Sequence, residues 1–123
     1  MTSYRSKYHA KQVKANGMTF DSRKEYLRWK ELSLLERAGK VSDLRRQVKF
    51  VLVPAQYEPD TIGPRGGVRH GKLLERETAY IADFVYVQNG ERIVEDVKGV
   101  KTDAYIIKRK LMLWLHGVRI REV

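Results

Sequence analysis

Two apolar-rich runs, Thr78–Gln88 and Glu91–Lys98, flank the dipeptide Asn89-Gly90. Asn-Gly supplies two successive residues that tolerate positive φ, which the two-residue turn of a twisted hairpin requires. Such a turn leaves the register no freedom. Gln88 pairs with Glu91, each further rung steps outward by one residue on both strands, and Asp83 comes to face Asp96. Side chains alternate along a strand, so Ile81, Asp83, Val85 and Val87 are expected on one face with Arg92, Val94, Asp96 and Lys98. Glu95 then points the other way, beside Phe84 and Tyr86.

Like charges opposed across two strands are destabilising, and these lie on a face otherwise built from valine and isoleucine. A divalent cation offsets that repulsion, because hard cations take carboxylate oxygens. Lys98, on the same face, partly neutralises it as well. The pattern is equally that of an exposed hairpin face whose aspartates point into water, with Lys98 as a surface partner.

A helix carries a third carboxylate toward this pair. The stretch D21-S-R-K-E25 places Ser22 as cap and Glu25 three residues on, as in a capping box, and Ala38-Gly39 marks the far end. Trp29, Leu32 and Leu35 recur at helical spacing and need a sheet to cover. Glu25 stands at the end of that stripe, either as a cap or as a site residue turned inward.

The remaining signals complete one α/β domain with a mixed sheet. Residues 46–53 read as a strand entering the sheet interior. Thr102 or Asp103 starts a second helix that runs to about His116 with Gly117 after it, and residues 118–123 read as a short closing strand. Asn16-Gly17 predicts a small hairpin between Val13–Ala15 and Met18–Phe20, within an N-terminal arm of residues 1–20. Residues 21–123 form the main domain. Within it the segment 54–77, rich in proline and glycine, reads as a long basic loop.

Charge narrows the partner. The 25 Lys and Arg against 15 Asp and Glu give a formal charge of +10, which favours a polyanion, while 42% apolar residues favour a folded core over a basic tail. The candidate phosphate contacts are Arg5, Lys7, Lys11 and Lys14 in the arm, Arg65, Arg69 and Lys72 in the loop, and Lys108 on the second helix. A solvated tail or basic face is the competing account of each group. With no cysteine there is neither a disulfide framework nor a thiolate metal site. No apolar run approaches the length that spans a bilayer, so a soluble, cytoplasmic protein without a membrane partner is expected. His9, His70 and His116 lack metal-ligand spacing, and no phosphate-binding GxxxxGK[ST] loop occurs.

Asp83 followed after twelve residues by Asp96-Val97-Lys98, and preceded by a helix bearing Glu25, resembles the PD-(D/E)XK, or restriction-endonuclease-like, nuclease superfamily. The stretches N16-G-M-T-F-D-S-R-K-E25, Y80-I-A-D-F-V-Y86 and V94-E-D-V-K-G99 look most like small phage-encoded proteins of that superfamily. Archaeal Holliday-junction resolvases and transposon cleavage subunits are similar at greater distance. Two positions depart from the usual pattern: Ala82 rather than proline precedes Asp83, and aspartate replaces glutamate at position 96.

The resemblance implies an αβββαβ core and a metal-dependent endonuclease acting on DNA, branched DNA included, in a phage-infected bacterial cell. It implies Mg²⁺ or Mn²⁺ held by Asp83, Asp96 and the Val97 carbonyl, with Glu25 reaching the ion directly or through water. Lys98 would orient the attacking water. Gln47 is a weaker candidate for positioning, and reads more simply as an ordinary strand residue. Two cuts on a duplex usually need two sites, so a homodimer fits, although no segment encodes one. The alternative is a non-catalytic nucleic-acid-binding module whose acidic cluster is structural.

Overall fold

The computed structural model describes residues 11–123; Arg5 and Lys7, expected phosphate contacts, lie outside the described residues. Strands β1 (Val13–Ala15) and β2 (Met18–Phe20) pair antiparallel around Asn16-Gly17, as expected. Helix α1 (Arg23–Arg37) is capped by Ser22, whose Oγ accepts the Glu25 N–H at 3.1 Å. Glu25 does not return to Ser22: its Oε1 accepts the Asp21 N–H at 3.1 Å, so the box closes one residue earlier than the sequence suggests.

Strand β3 (Ser42–Val53) starts four residues before the expected position, because Val41 and Leu44 already pack beneath α1. Beyond it, the segment expected as a loop is built otherwise. Strands β4 (Gln56–Tyr57), β5 (Thr61–Ile62), β6 (Val68–Arg69) and β7 (Leu73–Glu75) pair as two antiparallel ladders, β4 with β7 and β5 with β6. They extend the hairpin formed by β3 and β8 (Thr78–Gln88) into an arm. Its glycines, which read as breakers, serve the pairing. The Gly63 N–H donates to the Gly67 carbonyl at 2.7 Å to close the tip, and a Cβ at Gly71 would collide with the Glu58 carbonyl.

Strand β9 (Glu91–Asp96) follows β8 across Asn89-Gly90, with φ of 51° and 78° at the two turn residues and Gln88 opposite Glu91. It ends at Asp96, two residues before the expected end. Helix α2 (Asp103–His116) has Thr102 as cap and Gly117 at φ 65° beyond its last turn, and β10 shortens to Arg121–Glu122. The sheet order is β10-β9-β8-β3, with β10 parallel to β9 and the other neighbours antiparallel.

Adjacent residues of β8 and β9 feed different cores. Phe84, Tyr86 and Ile93 pack with Leu32, Trp29 and Leu35 of α1, whereas Val85 and Val94 pack with Tyr105 and Met112 of α2. The two helices therefore cover opposite faces of the sheet, and the chain is a single small α/β domain with a mixed central sheet. Among the described residues no helix is long and apolar enough to cross a membrane.

Candidate active site

A cavity of about 630 Å³ opens where the first turns of α1 and α2 meet β8 and the end of β9. Its wall includes Glu25, Asp83, Asp96, Val97, Lys98 and Lys108. All four expected catalytic residues are thus brought to one place, from α1, β8, β9 and the segment that follows β9, and Lys108 joins them. Arg65, Arg69 and Lys72 do not: they lie exposed on the arm, and Lys11 and Lys14 are exposed near β1.

The hairpin register holds, with Phe84 opposite Glu95 on the last rung before the two aspartates. The Val97 N–H donates to Asp83 Oδ2 at 2.8 Å, turning that carboxyl toward the end of β9. Burial pushes the Asp83 carboxyl well above the usual range, and a hydrogen bond with Asp96 and its charge push in the same direction. A carboxylate leaving water next to another holds its proton more tightly, and that is the direction at Asp83. Asp96, only 4% exposed, also pairs with the Lys98 ammonium. Lys98 in turn lies 3.6 Å above the Tyr105 ring, and its carbonyl accepts from Lys24 Nζ at 3.0 Å.

Tyr105 is itself fixed. Its hydroxyl donates to Glu122 Oε2 at 2.6 Å, and that carboxylate also binds Arg109 at 3.0 Å and Lys101 at 2.9 Å. The Tyr105 hydroxyl does most to hold the Glu122 carboxyl below the usual range. Arg109 is thereby spent on a structural carboxylate, while Lys108 faces the cavity.

Glu25 is 2% exposed, and burial raises its pKa. Beyond its bond to Asp21, its Oε2 accepts from Gln47 Nε2 at 3.1 Å and lies 3.9 Å from the Arg46 guanidinium. Gln47 makes this bond from a backbone at φ 53°, in the middle of a strand. A non-glycine residue in that region costs of order 1–3 kcal/mol and persists only where its surroundings enforce it. Gln47, the weaker positioning candidate of the sequence, is therefore a positioning group for Glu25 rather than an ordinary strand residue.

Ile81, expected with the aspartates, does line their cavity, but alternation missed Tyr80. Tyr80 and Ala82 pack in the α2 core, Tyr80 also lines the cavity, and its hydroxyl lies close enough to Asp96 and Asp83 to have its pKa raised by both, after burial. Tyr80 is 4% exposed, and its hydroxyl makes no hydrogen bond of normal geometry. A buried donor without a partner is costly, and here it stands at the wall of an acidic cavity.

On the α1 side, Glu95 is fully buried. It accepts from Arg28 Nε at 2.6 Å, from Arg28 at a second nitrogen at 2.8 Å, and from the Tyr86 hydroxyl at 2.6 Å. Alternation separated Glu95 from the aspartates correctly but did not reveal that it clamps α1 to the sheet.

Among the described residues no three acidic or histidine side chains are already drawn up as a metal cage. No curated protein and no solved structure matches the chain. The family model DUF1064, whose description is "Protein of unknown function", matches residues 5–120. With nearly the whole length so matched, the chain belongs to the DUF1064 family.

Proposed function

We propose that this protein is a metal-dependent endonuclease that hydrolyses DNA phosphodiesters, with the αβββαβ core of the PD-(D/E)XK superfamily supplied by α1, β3, β8, β9, α2 and β10. The observation that carries the reading is the convergence of Glu25, Asp83, Asp96 and Lys98 on one cavity. Opposed carboxylates at one cavity wall cost stability unless something offsets them, and a bound cation does so.

The donor set fits Mg²⁺ or Mn²⁺. Asp83 and Asp96 offer hard oxygens whose mutual repulsion a cation relieves, the Val97 carbonyl lies between Asp96 and Lys98 in the chain, and Glu25 completes the acidic wall. Such a cation, when bound, supplies a water of lowered pKa and positive charge at the scissile phosphate.

The chain's own residues do the rest. Lys98, steadied by the Tyr105 ring, presents its ammonium to the negative charge that develops at phosphorus. Gln47 and the Asp21 N–H hold the Glu25 carboxylate against rotation. Lys24 and Lys108, both at the cavity wall, bind the flanking phosphates. A homodimer would place two such sites on a duplex or a junction, in the cytoplasm of a phage-infected cell.

The test incubates plasmid and branched DNA with wild-type, Asp96→Asn and Lys98→Met proteins, with and without Mg²⁺ or Mn²⁺. Wild type should cleave only with the cation. Lys98→Met should lose at least about 100-fold in single-turnover rate at saturating protein while still binding DNA. An active Asp96→Asn protein sinks the assignment; binding by all three without cleavage identifies a nucleic-acid-binding module instead.

A further inference from the structure

The arm from β4 to β7 contributes nothing to the cavity, and nearly every residue on it is exposed. Its apolar side chains are nevertheless paired. Ile62 faces Val68 at 71% and 59% exposure, and Tyr57 faces Leu73 at 60% and 48%. Thr61 and Arg69 form the next rung, so by alternation they project from the opposite face to Ile62 and Val68. The tip is therefore amphipathic across its thickness, with no cover among the described residues.

Charge decides what would cover it. Between Thr61 and Lys72 there are three cations, Arg65, Arg69 and Lys72, and no acidic residue. The arm's acids lie short of this tip: Glu58 and Glu75 flank the Tyr57–Leu73 rung, Asp60 accepts the Gly71 N–H at 3.0 Å, and Glu77 pairs with Lys49. An apolar tip, Ile62 and Val68, with only cations among residues 61–72 suits a polyanion that also offers apolar groups, as duplex DNA does through its thymine methyls.

We infer that the arm enters the major groove of duplex DNA, with Ile62 and Val68 against base edges and Arg65, Arg69 and Lys72 on phosphates beside the groove. A two-stranded ribbon fits the major groove, about 12 Å wide, without deforming the duplex, whereas a minor groove of about 6 Å would have to be widened to take it. Apolar side chains there contact thymine methyl groups. The arm leaves the sheet at Thr78, five residues from Asp83 and so roughly 17 Å along β8, about half a turn of duplex. One duplex therefore reaches from arm to cavity. The inference rests on the DNA reading of that cavity and adds how the duplex is gripped.

The experiment measures binding of a thymine-rich duplex to the wild-type protein by fluorescence anisotropy in EDTA, across a salt titration. Methyl green, a major-groove ligand, should compete, and netropsin, a minor-groove ligand, should not. Arg65→Gln with Arg69→Gln should flatten the slope of log K against log salt by about two. Ile62→Ser with Val68→Ser should weaken binding about tenfold with the slope unchanged, since apolar contacts release no counterions. Displacement by netropsin, or unchanged affinity and slope in both double variants, overturns the inference. So does a change in sedimentation of the Ile62→Ser, Val68→Ser protein without a change in DNA affinity, which would mean a protein partner. Cation-dependent cleavage that survives these variants removes the arm's role alone, and arm-dependent binding without any cleavage removes the nuclease reading alone.

Discussion

Replacing Glu95 by glutamine removes one charge and almost no volume, from the point where α1 is fastened to the sheet. The native carboxylate has no exposure and receives two bonds from Arg28 and one from Tyr86. A glutamine keeps one acceptor oxygen for these three donors and turns an amide nitrogen toward another. Breaking a buried ion pair by removing one partner costs 3–5 kcal/mol as a rule. The Arg28 side chain remains 21% exposed and keeps Glu31 at 2.8 Å, so water and that carboxylate relieve part of the loss. The expected cost is about 3 kcal/mol, which for a domain of this size lowers Tm by about 12 °C. Urea unfolding at pH 7 measures it directly. The companion double variant, Arg28→Met with Glu95→Leu, removes both charges and should return to within about 1 kcal/mol of wild type. If Glu95→Gln costs under about 1 kcal/mol, or the double variant is worse than the single, the clamp does not hold α1.

Three further outcomes follow from the cavity. Asp83→Asn should gain stability over wild type as pH rises: the raised Asp83 carboxyl favours folding below its ordinary pKa of 3.8 and loses that advantage as pH climbs toward its folded value. Urea unfolding in EDTA should show the difference growing by up to about 1.4 kcal/mol per pH unit from pH 4 to pH 7, and a flat difference refutes the raised Asp83 carboxyl. Gln47→Gly should leave stability unchanged or raise it by about 1 kcal/mol, since glycine accepts φ 53° freely, while cleavage falls about tenfold as Glu25 loses its amide; a large stability loss would make Gln47 merely structural. Tyr105→Phe should keep the upfield ring-current shift of the Lys98 Cε protons and Tyr105→Leu abolish it, read by NMR independently of any activity.

What was legible in the sequence is what short-range rules control. Asn89-Gly90 fixed the hairpin register because a two-residue turn has one pairing, and that alone brought Asp83 to Asp96. Ser22 and Gly117 marked helix ends through bonds and a φ value that belong to single residues. The arm was misread for a related reason. Proline and glycine are local breakers, but here Gly71 is needed because Glu58, thirteen residues away, passes against its backbone. No local rule reports that contact.

The least legible feature is also the one that completes the cavity wall. On β3, Arg46 lies over the Phe20 and Trp29 rings on the α1 side, while Val48, two residues on, packs with the α2 core. On β8, Phe84 belongs to the α1 core and Ala82 to the α2 core. Arg46 pairs with Phe84 and Val48 with Ala82, so both strands change faces across the same rung, the one occupied by Gln47 and Asp83. A change of face without an inserted residue requires an abnormal backbone, and Gln47 at φ 53° provides it. Strict alternation carried through this rung puts only Ile81 beside the aspartates; the reversal brings Tyr80 to the same wall, with its hydroxyl buried against Asp96. The same strained residue reaches Glu25 with its side chain. Gln47 thus links the carboxylate on α1 to the phase of the two strands bearing Asp83 and Tyr80, and glycine substitution separates the functions, keeping the reversal while removing the amide.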